Sequence, residues 1–138
     1  MNIIIDSSVA LSWYFEDEAD AYAERVLESV AAHGAFVPFH WKTEIANGLL
    51  MGIRRQRITP EYREKVFEEL SALKLSADGG GQEHIWTSVN QIAETYGLTV
   101  YDAIYMELAI RRGFVLASLD KKLIKAAKAA GVHFTGSA

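Results

Sequence analysis

A chain of 138 residues, 50% of them hydrophobic, is long enough to bury its own core as one domain over 1–138 and too apolar to be disordered. The absence of cysteine excludes disulfides and thiolate metal sites, and a formal net charge of -4 speaks against coating nucleic acid through many phosphate contacts. No basic leader opens the chain and no apolar run approaches the roughly 20 residues of a membrane span, so a cytoplasmic domain without membrane contact is expected.

In chain order, the first element is NIII at 2 to 5, a short strand buried on both faces that ends in Asp6, with Ser7 and Ser8 after it. The plain reading of DSS is a helix cap, in which Ser7 or Ser8 gives a side-chain oxygen to the first free backbone N–H groups. Trp13, Tyr14 and Phe15 follow; three adjacent residues cannot share one helix face, so one or two belong to the core and the rest to an interface. A second strand is expected at AFVP (35 to 38), then a helix through FHWKTEIANGLLMGIRR with an apolar stripe of Trp41, Ile45, Gly48, Leu49 and Gly52. Glu44 falls beside that stripe. It is either a boundary residue whose stem packs while its head reaches water or an acid aimed into a site. Asn47, one turn on, is placed to orient Glu44 or simply to face solvent.

LKLSA at 73 to 77 is a weaker strand candidate, and DGGGQ at 78 to 82 reads as a plain, flexible turn, lacking the lysine of a phosphate loop. TVYD at 99 to 102 has the pattern of a capping box, with Thr99 as N-cap and Asp102 three residues in. In the helix running to Arg112, the Glu107 and Arg111 pair at i, i+4 marks a solvent side. Asp102 then points inward with Tyr105, Met106 and Ala109, where a carboxylate needs a partner. FVLAS at 114 to 118 is another buried strand, and Asp120 lies just before KKLIKAAKAAG, where an N-cap is wanted. VHFT at 132 to 135 is the last β-like run. The histidines at 33, 40, 84 and 133 have no ligand spacing and read as structural or surface residues.

Strands alternating with helix-length segments predict an α/β domain, a short parallel sheet of four to five strands flanked by helices, with ligands beyond the carboxyl ends of the strands. Asp6 and Asp120 lie at such ends, and Asp102 and Glu44 at inward helix positions. Gathered at one point, four carboxylates repel one another unless a hard divalent cation neutralises them; Mg2+ or Mn2+, which take oxygen ligands, suit phosphodiester chemistry.

Four stretches in this order, IIIDSSV, EIANGL, LTVYDAIYMELA and LASLDKKL, resemble the PIN-domain nucleases, and among them the VapC-type toxins of toxin–antitoxin pairs. The resemblance implies a PIN fold and an endoribonuclease dependent on Mg2+ or Mn2+. Its acids map to Asp6, Glu44, Asp102 and Asp120 as catalytic and metal-holding residues, with Ser8, Asn47 and Ser118 in support. Ser118 stands where the family often has threonine, which keeps the hydroxyl. The resemblance further implies an RNA substrate, a cognate antitoxin and a homodimer.

Basic residues are concentrated away from the acidic start. Lys121, Lys125 and Lys128 make a stripe on the last helix, and Arg54, Arg55 and Arg57 a second patch; each is an RNA-binding surface or a solvated face. Three other readings are weaker. A receiver-type phosphoacceptor domain would need paired acids after the first strand, where Ser7 and Ser8 stand. A haloacid-dehalogenase-like phosphatase would need an acid at Ser8. A non-catalytic binding module would be favoured by a lost acid, and none is lost.

Overall fold

The computed structural model describes residues 2–136, in which four strands alternate with seven α-helices. β1 (Ile3–Ile5) leads to α1 (Ser7–Ser12) and α2 (Ala21–His33), and β2 (Ala35–Val37) to α3 (Trp41–Arg54) and α4 (Pro60–Ala72). β3 (Leu75–Ala77) leads to α5 (Asn90–Tyr96) and α6 (Val100–Arg112), and β4 (Val115–Ala117) to α7 (Lys121–Ala129). All strand pairs are parallel, in the order β3-β2-β1-β4. This is the α/β architecture expected from the alternation of strand and helix patterns.

The weak run at 73 to 77 is a true strand, and its weakness has a cause. β3 is an edge strand whose Ser76 and Ala77 are exposed, so little selects for apolar residues there. The run at 132 to 135 shortens to one isolated bridge, Leu116 with His133, beside β4. Gly131 and Gly136 take φ of 73° and 89°, left-handed turns that lead the chain out of line on either side.

The strand order fixes where a ligand can sit. From β1 the chain moves outward through β2 to β3, then returns to place β4 on the other side of β1. The connections therefore diverge between β1 and β4, opening a crevice at their carboxyl ends. β1 is fully buried, with Ile4 level with Leu116 and Ile5 with Ala117, so the next residues, Asp6 and Ser118, meet at that crevice.

Two helices carry the remaining groups there. α3 approaches α1 closely because it has glycine where any side chain would collide. A Cβ on Gly48 would lie 2.5 Å from Leu11 Cδ1, and one on Gly52 2.9 Å from the Phe15 ring. α6 is buried without interruption from Ala103 to Ala109, packed against β4, α5, α7 and the π-helical turn at 85 to 89. Glu107 thus does not mark a solvent side: it is only 4% exposed, and Arg111 Nε bonds both its oxygens at 2.7 and 3.0 Å. Covering α6 on every face buries the side that its charged pattern assigned to water.

The glycine-rich stretch after β3 is likewise anchored rather than loose. Asp78 is 2% exposed, and its carboxylate accepts from Arg111 Nη2 at 2.5 Å and from Arg112 Nη2 at 2.9 Å. Arg112 also lies over the Phe36 and Phe114 rings, 5.6 and 5.9 Å from their centroids. Burial pushes the Asp78 carboxyl up, but the two guanidiniums outweigh it and hold the group below the ordinary carboxylate range. Stability from this group is therefore present above that range and lost as pH falls through it. Asp78→Ala is expected to lower stability by about 1–3 kcal/mol in urea unfolding at neutral pH, less than for a fully buried pair because both arginines still touch water. The deficit should shrink in acid; a deficit independent of pH would mean that packing, not charge, holds this end of the sheet.

Candidate active site

Asp6 ends β1 and caps α1, accepting from Val9 N at 3.1 Å. A cap is present in DSS as expected, but Asp6 supplies its oxygen and Ser7 and Ser8 lie within the helix it caps. The same Oδ1 accepts from Ser8 Oγ at 2.6 Å, and Oδ2 accepts from Ser118 Oγ at 2.5 Å. Both serines bond onward, Ser8 across the crevice and Ser118 within its own turn. Ser8 Oγ accepts from Leu119 N at 3.0 Å and Ser118 Oγ accepts from Asp120 N at 2.9 Å. A carboxylate 4% exposed is thus set in a hydroxyl network joining β1 to the turn after β4. Burial raises its pKa to about 6 against the opposing bonds from Ser118, Ser8 and Val9, and Asp102 adds to the rise.

Asp102 occupies the first turn of α6, where its N–H donates to Thr99 Oγ1 at 3.1 Å, as the capping pattern requires. Its carboxyl is half-buried and pushed up, by burial first and then by Asp120 and Glu44, with Thr99 opposing. Asp120 is exposed at the N-cap of α7, accepting from Leu123 N at 2.9 Å. Asp102 therefore lies in the electrostatic reach of each of the other three acids of the sequence pattern. Among the described residues, however, no three acidic or histidine side chains are close enough together to hold a metal ion in common. The two observations are compatible for Mg2+, a cation that keeps several of its waters and takes only one or two carboxylates directly.

Glu44 is half-buried on α3 and has a partner that sequence reading missed. Tyr105 Oη donates to its Oε1 at 2.5 Å, and His40 Nε2 lies 3.6 Å from the same oxygen. The Tyr105 hydroxyl is pushed far up by burial and by Glu44, so it remains a donor. His40 Nε2 also contacts Tyr101 O at 3.2 Å; burial lowers the pKa of this ring against the pull of Glu44 and the Tyr101 carbonyl. Asn47 does not orient Glu44. It is exposed, because one turn along α3 carries it round toward solvent, and Tyr105 does the orienting instead. The available signal was the inward position of Tyr105, since a buried tyrosine needs a hydrogen-bond partner.

The other candidates lie further out. Lys121, Lys125 and Lys128 are exposed on α7, and Arg54 and Arg55 on and just beyond the end of α3. Arg57 is neutralised, bonding Asp17 at 2.7 Å and Glu18 at 2.8 Å while stacking 4.2 Å from the Phe15 centroid. Of the aromatic trio, Phe15 enters the core and Trp13 and Tyr14 are half-buried, with Trp13 Nε1 donating to Ala23 O at 2.8 Å.

With this geometry the chain belongs to the PIN-domain family, whose model matches residues 3–129. Among named proteins it is similar to Ribonuclease VapC3 of Pyrobaculum aerophilum, 27% identical over 124 residues that cover 89% of this chain and 92% of the relative. In structure it is similar to PAE2754 from Pyrobaculum aerophilum, known from a crystal structure, with a TM-score of 0.64 at 23% identity, covering 93% of this chain and 81% of the other. That likeness supports the fold alone.

The raised pKa of Asp6 sets a sign for stability. Between the ordinary value of 3.8 and about 6 the folded state holds a proton that the unfolded state releases, so this group destabilises the fold increasingly as pH rises through the window. In EDTA at neutral pH, Asp6→Asn is expected to be more stable than the natural protein by about 1–3 kcal/mol, with the advantage gone below the window. Thermal unfolding across pH measures this; an Asn variant less stable at all pH values would show that the hydroxyl network outweighs the buried charge.

Proposed function

We propose that this PIN domain is an endoribonuclease dependent on Mg2+ or Mn2+ and serves as the toxin of a toxin–antitoxin pair. The observation that carries the reading is the buried Asp6 at the crevice between β1 and β4, raised by Asp102, which is itself raised by Asp120 and Glu44. The named relative, a VapC ribonuclease, supports the same substrate class and an antitoxin partner. A homodimer is part of the proposal.

The donor set fits a hard cation: every side chain is a carboxylate, and their mutual repulsion is what such an ion relieves. Asp6, Asp102 and Asp120 would hold it, directly or through water, with Glu44 completing the set. When bound, the cation activates a water and stabilises charge on the phosphate oxygens. The chain supplies the rest. Ser8, Val9 and Ser118 fix both oxygens of Asp6, so that carboxylate does not turn. Tyr105 fixes Oε1 of Glu44, and Oε2 accepts no hydrogen bond among the described residues. Oε2 is therefore the atom to orient an attacking water and take its proton. Lys121, Lys125 and Lys128, on the helix that Asp120 caps, offer positive charge for the RNA backbone, with Arg54 and Arg55 as a second patch.

Purified protein is expected to cut total cellular RNA into discrete fragments with Mg2+ or Mn2+ and not with EDTA, and folded Asp6→Ala to cut none. Cleavage that survives either EDTA or Asp6→Ala would refute the assignment; no cleavage with either cation would favour the non-catalytic binding module. Tyr105→Phe, which keeps the ring and loses the bond to Glu44, is expected to lower kcat about tenfold at unchanged fold stability. Unaltered kcat would show that Glu44 needs no such support.

A further inference from the structure

Two large aromatic side chains beside the acids serve no evident purpose in the fold. Tyr101 is 67% exposed, immediately before Asp102 in the first turn of α6. Its hydroxyl has no hydrogen-bond partner among the described residues. Phe39 is 38% exposed in the turn between β2 and α3, backed by Gly81, where a Cβ would lie 3.2 Å from the Phe39 ring. His40 lies between them, its ring centroid 5.4 Å from Phe39 and 6.4 Å from Tyr101. His40 is fixed in turn by the Tyr101 carbonyl and by its proximity to Glu44. The three rings form a ledge from solvent to the edge of the acid site, seated on residues that are themselves held.

We propose that Phe39 and Tyr101 form a stacking ledge for an unpaired base of single-stranded RNA next to the phosphate that is cut, an inference that rests on the ribonuclease reading. An uncharged contact for a base complements the charges at this position. Four carboxylates repel a polyanion, and the exposed lysines of α7 and arginines ending α3 offer their charge to its phosphates, so a base calls for a contact of another kind. Stacking on an aromatic face is indifferent to charge and open to every base, and it needs a base freed from pairing. The ledge also has the right reach. His40, whose ring lies 5.4 Å from Phe39 and 6.4 Å from Tyr101, has Nε2 3.6 Å from Glu44 Oε1, so a nucleotide with its phosphate at the acids has these rings within reach of its base or its neighbour's.

The ledge makes the site select unpaired RNA, and it is tested without cleavage. A short strand whose only base is a fluorescent adenine analogue, every other position being abasic, is titrated with the protein in EDTA, beside the same strand with that position abasic as well. Tyr101→Ala and Phe39→Ala are each expected to weaken binding of the base-bearing strand about ten- to a hundredfold and to restore the fluorescence that stacking quenches. Tyr101→Phe keeps both, and on the abasic strand all four proteins bind alike. Unchanged affinity for the base-bearing strand, or an equal loss on both strands, would overturn the ledge and leave these rings to a protein partner. The two readings separate cleanly. If the natural protein cuts RNA while the variants bind normally, only the ledge falls; if the natural protein neither cuts nor binds RNA, both fall.

Discussion

The carboxylate of Asp6 is the point on which this molecule turns. It caps α1, receives a hydroxyl from its own loop through Ser8, and receives another from the far side of the crevice through Ser118. Those two hydroxyls then bond the backbone of the turn after β4. Remove the acid and three donors at the carboxyl end of the central strands lose their acceptor together. The same bonds that order the crevice oppose the burial that would otherwise leave the group more firmly protonated. Structure and chemistry thus draw on one network.

That economy explains why capping and active-site readings need not compete. Asp6, Asp102 and Asp120 all sit at or within the first turn of helices, and Asp6 and Asp120 themselves accept from backbone N–H groups there. A helix start beyond the end of a parallel strand is both the place where a cap is required and the place where side chains face a crevice. One oxygen of Asp120 is used in the cap, accepting from Leu123 N. A carboxylate has a second oxygen and spare lone pairs, so capping leaves capacity for a ligand.

The fold was legible in the sequence because its signals were local. Isoleucines 3 to 5 say buried strand by composition, and the stripe through Trp41, Ile45 and Leu49 says buried helix face by period. What it concealed was long-range. The Tyr105 bond to Glu44 joins residues 61 apart, and Asp78 reaches Arg111 across 33. Periodicity gives the direction in which a side chain leaves its own helix but not what it meets. The pair Glu107 and Arg111 illustrates the cost of that limit, for a spacing that usually marks a solvated face is here packed under a second layer of helix. Asn47 illustrates the converse: it has the right spacing and chemistry for Glu44, and α3 carries it to the wrong side.

The enclosure of α6 has a consequence for how such a protein can change over time. Seven successive residues of that helix are buried, its last turn is tied to Asp78 and its first turn carries Asp102. It can neither rotate nor slide without opening the core, so the placement of its acid is settled once the chain has folded. Val100, Tyr101 and Phe39, all exposed around the same rim, bear no such burden. Mutational drift is inexpensive there and expensive one residue further in. On the proposed reading, a lineage can exchange the RNA it recognises by altering a few rim side chains while the hydrolytic chemistry is inherited intact.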